Sequence, residues 1–170
     1  MAITTSLKNK EPEIFKIAPK IVAGNSLEMS ISDNKTAVLW GSFMPRLGEI
    51  RNRIDSVLLS IQVFPDDFNF ANFDIHKKFI KWAGVEIKNV DTIPPQMELL
   101  SIPAGEYAVF THIGDTATAE NTFRYIFSVW LPNSAYVLDN RPQFEVLGEK
   151  YKRNDPASEE DIYIPIKPKE

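Results

Sequence analysis

Apolar and polar residues alternate along much of this chain, and in two places a helical spacing replaces the alternation. From Glu13 to Ile31 the residues Ile14, Phe15, Ile17, Ile21, Val22, Leu27, Met29 and Ile31 read as extended, broken by Pro19 and Gly24. Ser32-Asp33-Asn34 then offers capping side chains to a helix carrying Val38, Trp40, Phe43, Met44 and Leu47, whose run Pro45 limits. Val57 to Phe64 is the clearest strand of this half. A mixed stretch with Phe68, Phe70, Phe73, Ile75, Phe79, Ile80 and Trp82 leads into a short strand at Val85-Glu86-Ile87.

The pattern then starts again. Met97 to Ile113 is extended, with a break at Pro103-Ala104-Gly105. Asp115, Thr116 and Thr118 offer N-caps, and Phe123, Ile126, Phe127 and Trp130 sit at i, i+3, i+4 and i+7, one face of a helix that Pro132 ends. Phe144 to Gly148 and Ile162 to Ile166 close the chain as strands. Each half thus reads strand, helix, strand, strand, with a first strand in two parts. The prediction is an α+β fold, a pseudo-symmetric tandem of two such units sharing one core, with a cleft where they meet. Residues 1–12 read as a flexible arm. Residues 13–170 read as a single domain whose halves cover about 13–92 and 93–170.

Composition narrows the function classes. The 170 residues include 44% hydrophobic and 25% charged side chains, a globular balance. With 19 basic against 23 acidic residues the net charge is −4, which argues against direct nucleic-acid binding, since phosphate contact demands a basic footprint. The absence of cysteine removes thiol nucleophiles, disulfides, Cys-based zinc sites and iron–sulfur clusters. Neither a signal peptide nor a membrane span is legible, so the expectation is a soluble, cytoplasmic protein.

No standard motif carries chemistry. The seven scattered glycines form neither a dinucleotide fingerprint nor a phosphate loop, and there is no nucleophile elbow. No cofactor is expected. His76 and His112 lie in separate halves and read as a surface and a strand-edge histidine, so no metal is expected. Glu145, in Phe144-Glu145-Val146-Leu147, is a strand carboxylate that either faces solvent or, in a cleft, acquires a raised pKa by desolvation. Glu86 poses the same question. Tyr107, Tyr151, Tyr163 and Trp82 are less obviously core than the aromatic stripe of the second helix. The acidic run Asp155 to Asp161 reads as a solvated loop.

Four segments of the second half, Ile102-Pro103-Ala104-Gly105-Glu106-Tyr107-Ala108-Val109-Phe110, Trp130-Leu131-Pro132-Asn133-Ser134-Ala135-Tyr136, Pro142-Gln143-Phe144-Glu145-Val146 and Glu160-Asp161-Ile162-Tyr163-Ile164-Pro165-Ile166, occur in an order that resembles the GyrI-like (gyrase-inhibitor-like) family. This is the effector-binding domain of AraC-type and MerR-type bacterial transcription activators. Leu39 to Arg46 and Phe79 to Glu86 are similar to stand-alone members. The resemblance covers about residues 13–167. It implies a ligand groove between the two units and a taste for hydrophobic, often cationic, small molecules, hence a role in transcription regulation or multidrug response. It implies further that Glu145 is the pocket acid, with Tyr107 and Trp130 near the groove and Trp82, Tyr151 and Tyr163 as weaker candidates.

Three functions follow as expectations. The first is a small-molecule effector-binding protein, working alone or through a protein partner such as a regulator. The second is a hydrolase of strained alkylating compounds, with Glu145 as general base and Tyr107 or Tyr151 positioning water. The third is inhibition of DNA gyrase by protein contact.

Overall fold

The computed structural model describes residues 7–68 and 74–170. Its strands are β1 (Glu13–Ile17), β2 (Lys20–Met29), β3 (Leu58–Val63), β4 (Phe79–Glu86), β5 (Glu98–Ile102), β6 (Gly105–Ile113), β7 (Tyr136–Leu138), β8 (Gln143–Leu147) and β9 (Glu159–Pro168). Helix α1 (Thr36–Phe43) follows β2, and α2 (Thr116–Tyr125) follows β6. With its first strand in two parts, each half runs strand, helix, strand, strand, the second half adding the short β7 after its helix, and the expected α+β tandem is what the chain forms.

The strands make one antiparallel sheet in the order β1-β6-β9-β8-β3-β4-β2-β5, with β7 added to β9. Registers repeat between the halves. Ile14 pairs with Ala108 as Leu99 pairs with Ala23. Ala23 pairs with Val85 as Ala108 pairs with Ile164. Leu59 pairs with Gly84 as Phe144 pairs with Tyr163. The pseudo-twofold axis that relates them passes through the Ser60–Glu145 pair of β3 and β8.

The two-part first strands join the halves to each other. Pro19 and Pro103 cannot donate to a ladder, so the chain breaks there and each fragment changes partner. β1 leaves its own half to pair with β6, while β5 crosses back to pair with β2. Each half thus supplies an edge strand to the other.

Three apolar clusters hold the sheet. Leu39 and Phe43 of α1 pack on Ala23, Ala83 and Val85. Ile126 and Trp130, on the expected helical stripe, pack on Ala108, Phe110, Ile162 and Ile164. Because side chains alternate across a strand, the neighbours of these residues point to the other face, where Val22, Leu59, Ile61, Trp82, Tyr107 and Phe144 form the third cluster. Each such large side chain contributes roughly 1.5–3 kcal/mol by leaving water.

Several local expectations needed correction. Phe70 and Phe73 lie outside the described residues, as do residues 1–6 of the expected arm. Of the rest of that arm, Leu7 bridges to His112 and the Lys8 amide donates to the Thr111 carbonyl. β4 starts at Phe79, well before the expected Val85. α1 is not capped by Asp33 or Asn34, whose Oδ1 instead accepts from the Thr36 amide in a local turn. Asp115 does cap α2, accepting from the Thr118 amide at 3.1 Å. Pro132 does not stop that helix. The turn widens to i→i+5 bonding over Ile126–Trp130, and helix continues as α3 (Leu131–Asn133). Widening accommodates a residue that cannot donate to the preceding turn.

Candidate functional site

α1 covers β2 and β4 on one flank of the sheet, and α2 covers β6 and β9 on the other. β3 and β8 lie between them, so their helix-side residues lie between the two helical flanks, where the groove is expected. Phe144 stacks on Tyr163 on the opposite face, with ring centroids 4.6 Å apart, so alternation puts Glu145 on the helix side. Ser60, Gln62, Gln143 and Glu145 make up a buried polar strip there, surrounded by apolar clusters.

The strip is incompletely paired. Gln62 Nε2 donates to Ser60 Oγ at 3.4 Å, and Gln143 Nε2 to Gln62 Oε1 at 3.5 Å, both long. Among the described residues, Glu145 Oε2 and Gln143 Oε1 find no partner. An unpaired acceptor away from water is costly, and Glu145 is only 8% exposed. Burial accordingly pushes its pKa up, against the opposing charge of Lys81 and a hydrogen bond from Gln62.

Glu145 is not alone. Glu160 of β9 is pushed up to about 7, first by burial and then by the negative charge of Glu145, while Lys81 opposes both. Tyr151 is raised by burial, with the charges of Glu160 and Glu145 adding to it. Lys81 reaches across to the start of α1, where its Nζ donates to Thr36 Oγ1 at 3.2 Å. Ile61 pairs with Trp82 as Val146 pairs with Asp161 about the axis, so the residues just before these on β4 and β9, Lys81 and Glu160, are pseudo-symmetry mates of opposite charge. Two carboxyls and one ammonium thus share a water-poor site, and near neutral pH the acids do not both hold full charge.

Of the six residues expected at the site, the structure gathers Glu145 and Tyr151. Tyr107, Trp82 and Tyr163 lie on the opposite face of the sheet. Tyr107 is fully buried there, its hydroxyl donating to the Pro142 carbonyl at 2.8 Å and its ring under the Arg141 guanidinium at 4.7 Å. Trp130 sits under the helix, edge-on to Phe110. Sequence reasoning missed Lys81, Glu160, Gln62, Gln143 and Ser60. Glu160 was legible in principle, because Glu160, Ile162, Ile164 and Ile166 occupy every second position of one face. The acidic run is no solvated loop at its end: Glu159 to Asp161 open β9.

The other candidates are satisfied elsewhere. Glu86 accepts from Lys20 Nζ at 3.0 Å. His112 is not at an edge but in the interior of the sheet, 1% exposed, with Nδ1 2.8 Å from Thr122 Oγ1. His76 is on the surface, hydrogen-bonded to Ser32 Oγ.

Known proteins share this sequence pattern and fold. The chain matches the model of the GyrI-like small molecule binding domain over residues 10–167. It is 26% identical over 161 residues to the transcriptional regulator BrlR of Pseudomonas aeruginosa, covering 94% of this chain and 57% of that regulator. The chain therefore spans little more than half the length of that curated relative. The solved structure of SAV2435 bound to tetraphenylphosphonium superposes with a TM-score of 0.70 at 15% identity, over 92% of this chain and 94% of the other. The protein of the EcmrR–DNA complex does so with a TM-score of 0.65 at 13% identity, over 94% of this chain and 58% of the other. At these identities the structural likeness is one of fold.

Proposed function

This chain belongs to the GyrI-like small-molecule-binding family, and from that premise we propose that it takes a hydrophobic cation in the groove between α1 and α2, with the carboxylates of Glu145 and Glu160 as counter-charge. The observation that carries the reading is the unpartnered Oε2 of Glu145 between the two helical flanks. A buried carboxylate beside a second acid has a large desolvation cost that a cation would offset, provided the cation is apolar enough to leave water cheaply. The tetraphenylphosphonium held by SAV2435 has that chemistry. The regulator relative makes effector binding in transcription control the natural physiological role.

The test is a thermal-shift titration with tetraphenylphosphonium and an uncharged aromatic analogue, on wild type and Glu145→Gln. The cation should raise the melting temperature of wild type and lose most of that effect in the variant. At about 100 times its dissociation constant it would add roughly 2.7 kcal/mol, a plainly measurable shift. Equal stabilisation of both proteins would remove Glu145 from the account.

The shared neighbourhood of Glu145 and Tyr151 favours hydrolysis as a second reading. A carboxylate of raised pKa is a better base toward water, and a nearby phenol can orient that water. Turnover of an alkylating substrate that vanishes in Glu145→Gln would support it. Turnover that survives the substitution would exclude this mechanism.

A further inference from the structure

A second cavity, of about 350 Å³, opens at the far edge of the sheet, between β1 and the end of the α2–α3 helical run. It is three strands from Glu145 across the order β8-β9-β6-β1, or roughly 14 Å at the usual strand spacing. Its walls include three aromatic rings, Tyr125, Trp130 and Tyr136, together with Ile14 and the Glu11 carboxylate. Trp130 and Tyr136 are nearly parallel, at 20°, with centroids 6.3 Å apart.

The polar groups around it are already engaged with one another. Trp130 Nε1 donates to Glu11 Oε2 at 3.4 Å, and the Tyr125 hydroxyl to the Lys10 carbonyl at 3.3 Å. Asn133 Nδ2 donates to the Val129 carbonyl and Ser134 Oγ to the Leu131 carbonyl. The neighbouring cation, Lys169, is held on the Pro132 carbonyl at 3.0 Å. What remains to offer a ligand is the aromatic lining of Tyr125, Trp130 and Tyr136, one carboxylate charge close enough to act on the Tyr125 phenol, and the negative end of a helix.

We propose that this cavity is a second cation site, distinct from the groove, for a small molecule bearing a trimethylammonium group. Such a head carries charge without N–H donors, so it needs none of the acceptors already in use here. A primary ammonium would lose its hydrogen bonds to water and find few replacements, which makes the site selective for the methylated cation.

The test uses choline, its uncharged carbon isostere 3,3-dimethylbutan-1-ol, and ethanolamine, read by the indole N–H resonance of Trp130, assigned through Trp130→Phe. Choline at millimolar concentration should shift that resonance saturably, and the isostere and ethanolamine should not. Glu11→Gln keeps the hydrogen-bond acceptor and removes the charge, so it should weaken choline about three- to fivefold without lowering the melting temperature. Glu145→Gln should leave choline binding unchanged, which separates this site from the groove. No saturable shift, an equal response to the uncharged isostere, or loss of binding in Glu145→Gln would each overturn the proposal.

Discussion

Ser60 and Glu145 face each other across β3 and β8 at the axis about which the two halves repeat. The fold makes these positions equivalent, yet one is a small hydroxyl and the other a carboxylate. Duplication of a scaffold thus ends in an asymmetric site, and the same asymmetry separates Lys81 from its mate Glu160. The single ammonium partly offsets two acids. The site they share keeps a net negative character when both carboxyls are ionised.

The first consequence concerns ligand binding and pH. Glu160, pushed up to about 7 chiefly by burial and by Glu145, is partly protonated at neutrality. A bound cation favours the ionised acids, so affinity for tetraphenylphosphonium should rise as pH increases from about 6 to about 8. The groups facing the pair from neighbouring elements are Lys81 of β4, Asp161 of β9 and Tyr151. Calorimetric titration in buffers of different ionisation enthalpy should show proton release on binding. A pH-independent affinity would contradict the paired-acid picture.

Stability should move the other way. The folded-state pKa of Glu160 lies above its ordinary value of 4.5. Between that value and about 7 the folded chain holds a proton that the unfolded chain has released. The stabilising contribution is complete below this window and is lost as pH rises through it. Glu160→Gln should therefore melt higher than wild type at about pH 8, by on the order of 1–2 kcal/mol after allowing for partial solvent screening, and differ little at about pH 4. Parallel melting curves across that range would show that Glu160 is not strained by its surroundings.

Tyr107 separates packing from binding. Its hydroxyl donates to Pro142 from a fully buried position on the face away from the groove. Tyr107→Phe should cost about 1–2 kcal/mol in denaturant unfolding by orphaning that carbonyl. It should leave cation affinity in the groove unchanged. A loss of affinity with unaltered stability would place Tyr107 in the site after all.

Gly24 and Gly84 pair with each other across β2 and β4, where neither has room for a side chain. A Cβ at Gly84 would come within 2.6 Å of Val22 Cγ1 and 2.9 Å of the Ala23 carbonyl oxygen. A Cβ at Gly24 would overlap the Ala83 carbonyl. Gly84→Ala should lower stability by roughly 2–4 kcal/mol, since backbone oxygen cannot move aside as a side chain does. A chemical melt within about half a kcal/mol of wild type would show that the strands separate easily.

The residues by themselves determined the repeat. Alternation at Leu27-Met29-Ile31, the i, i+3, i+4, i+7 stripe from Phe123 to Trp130, and prolines within both first strands are local signals, set by backbone geometry and helix period. They also singled out Glu145, because an acid inside an otherwise apolar strand is conspicuous. Tertiary structure alone decided which face each residue serves. A strand has two faces, and nothing in Phe144-Glu145-Val146 says which of them meets the helices. Tyr107, Trp82 and Tyr163 went to the far cluster for that reason. The exchange of β1 and β5 between halves, and the meeting of Lys81, Glu160 and Tyr151 around Glu145, depend on pairings between residues far apart in the chain. Those pairings form only when burying both faces of one sheet selects a single register.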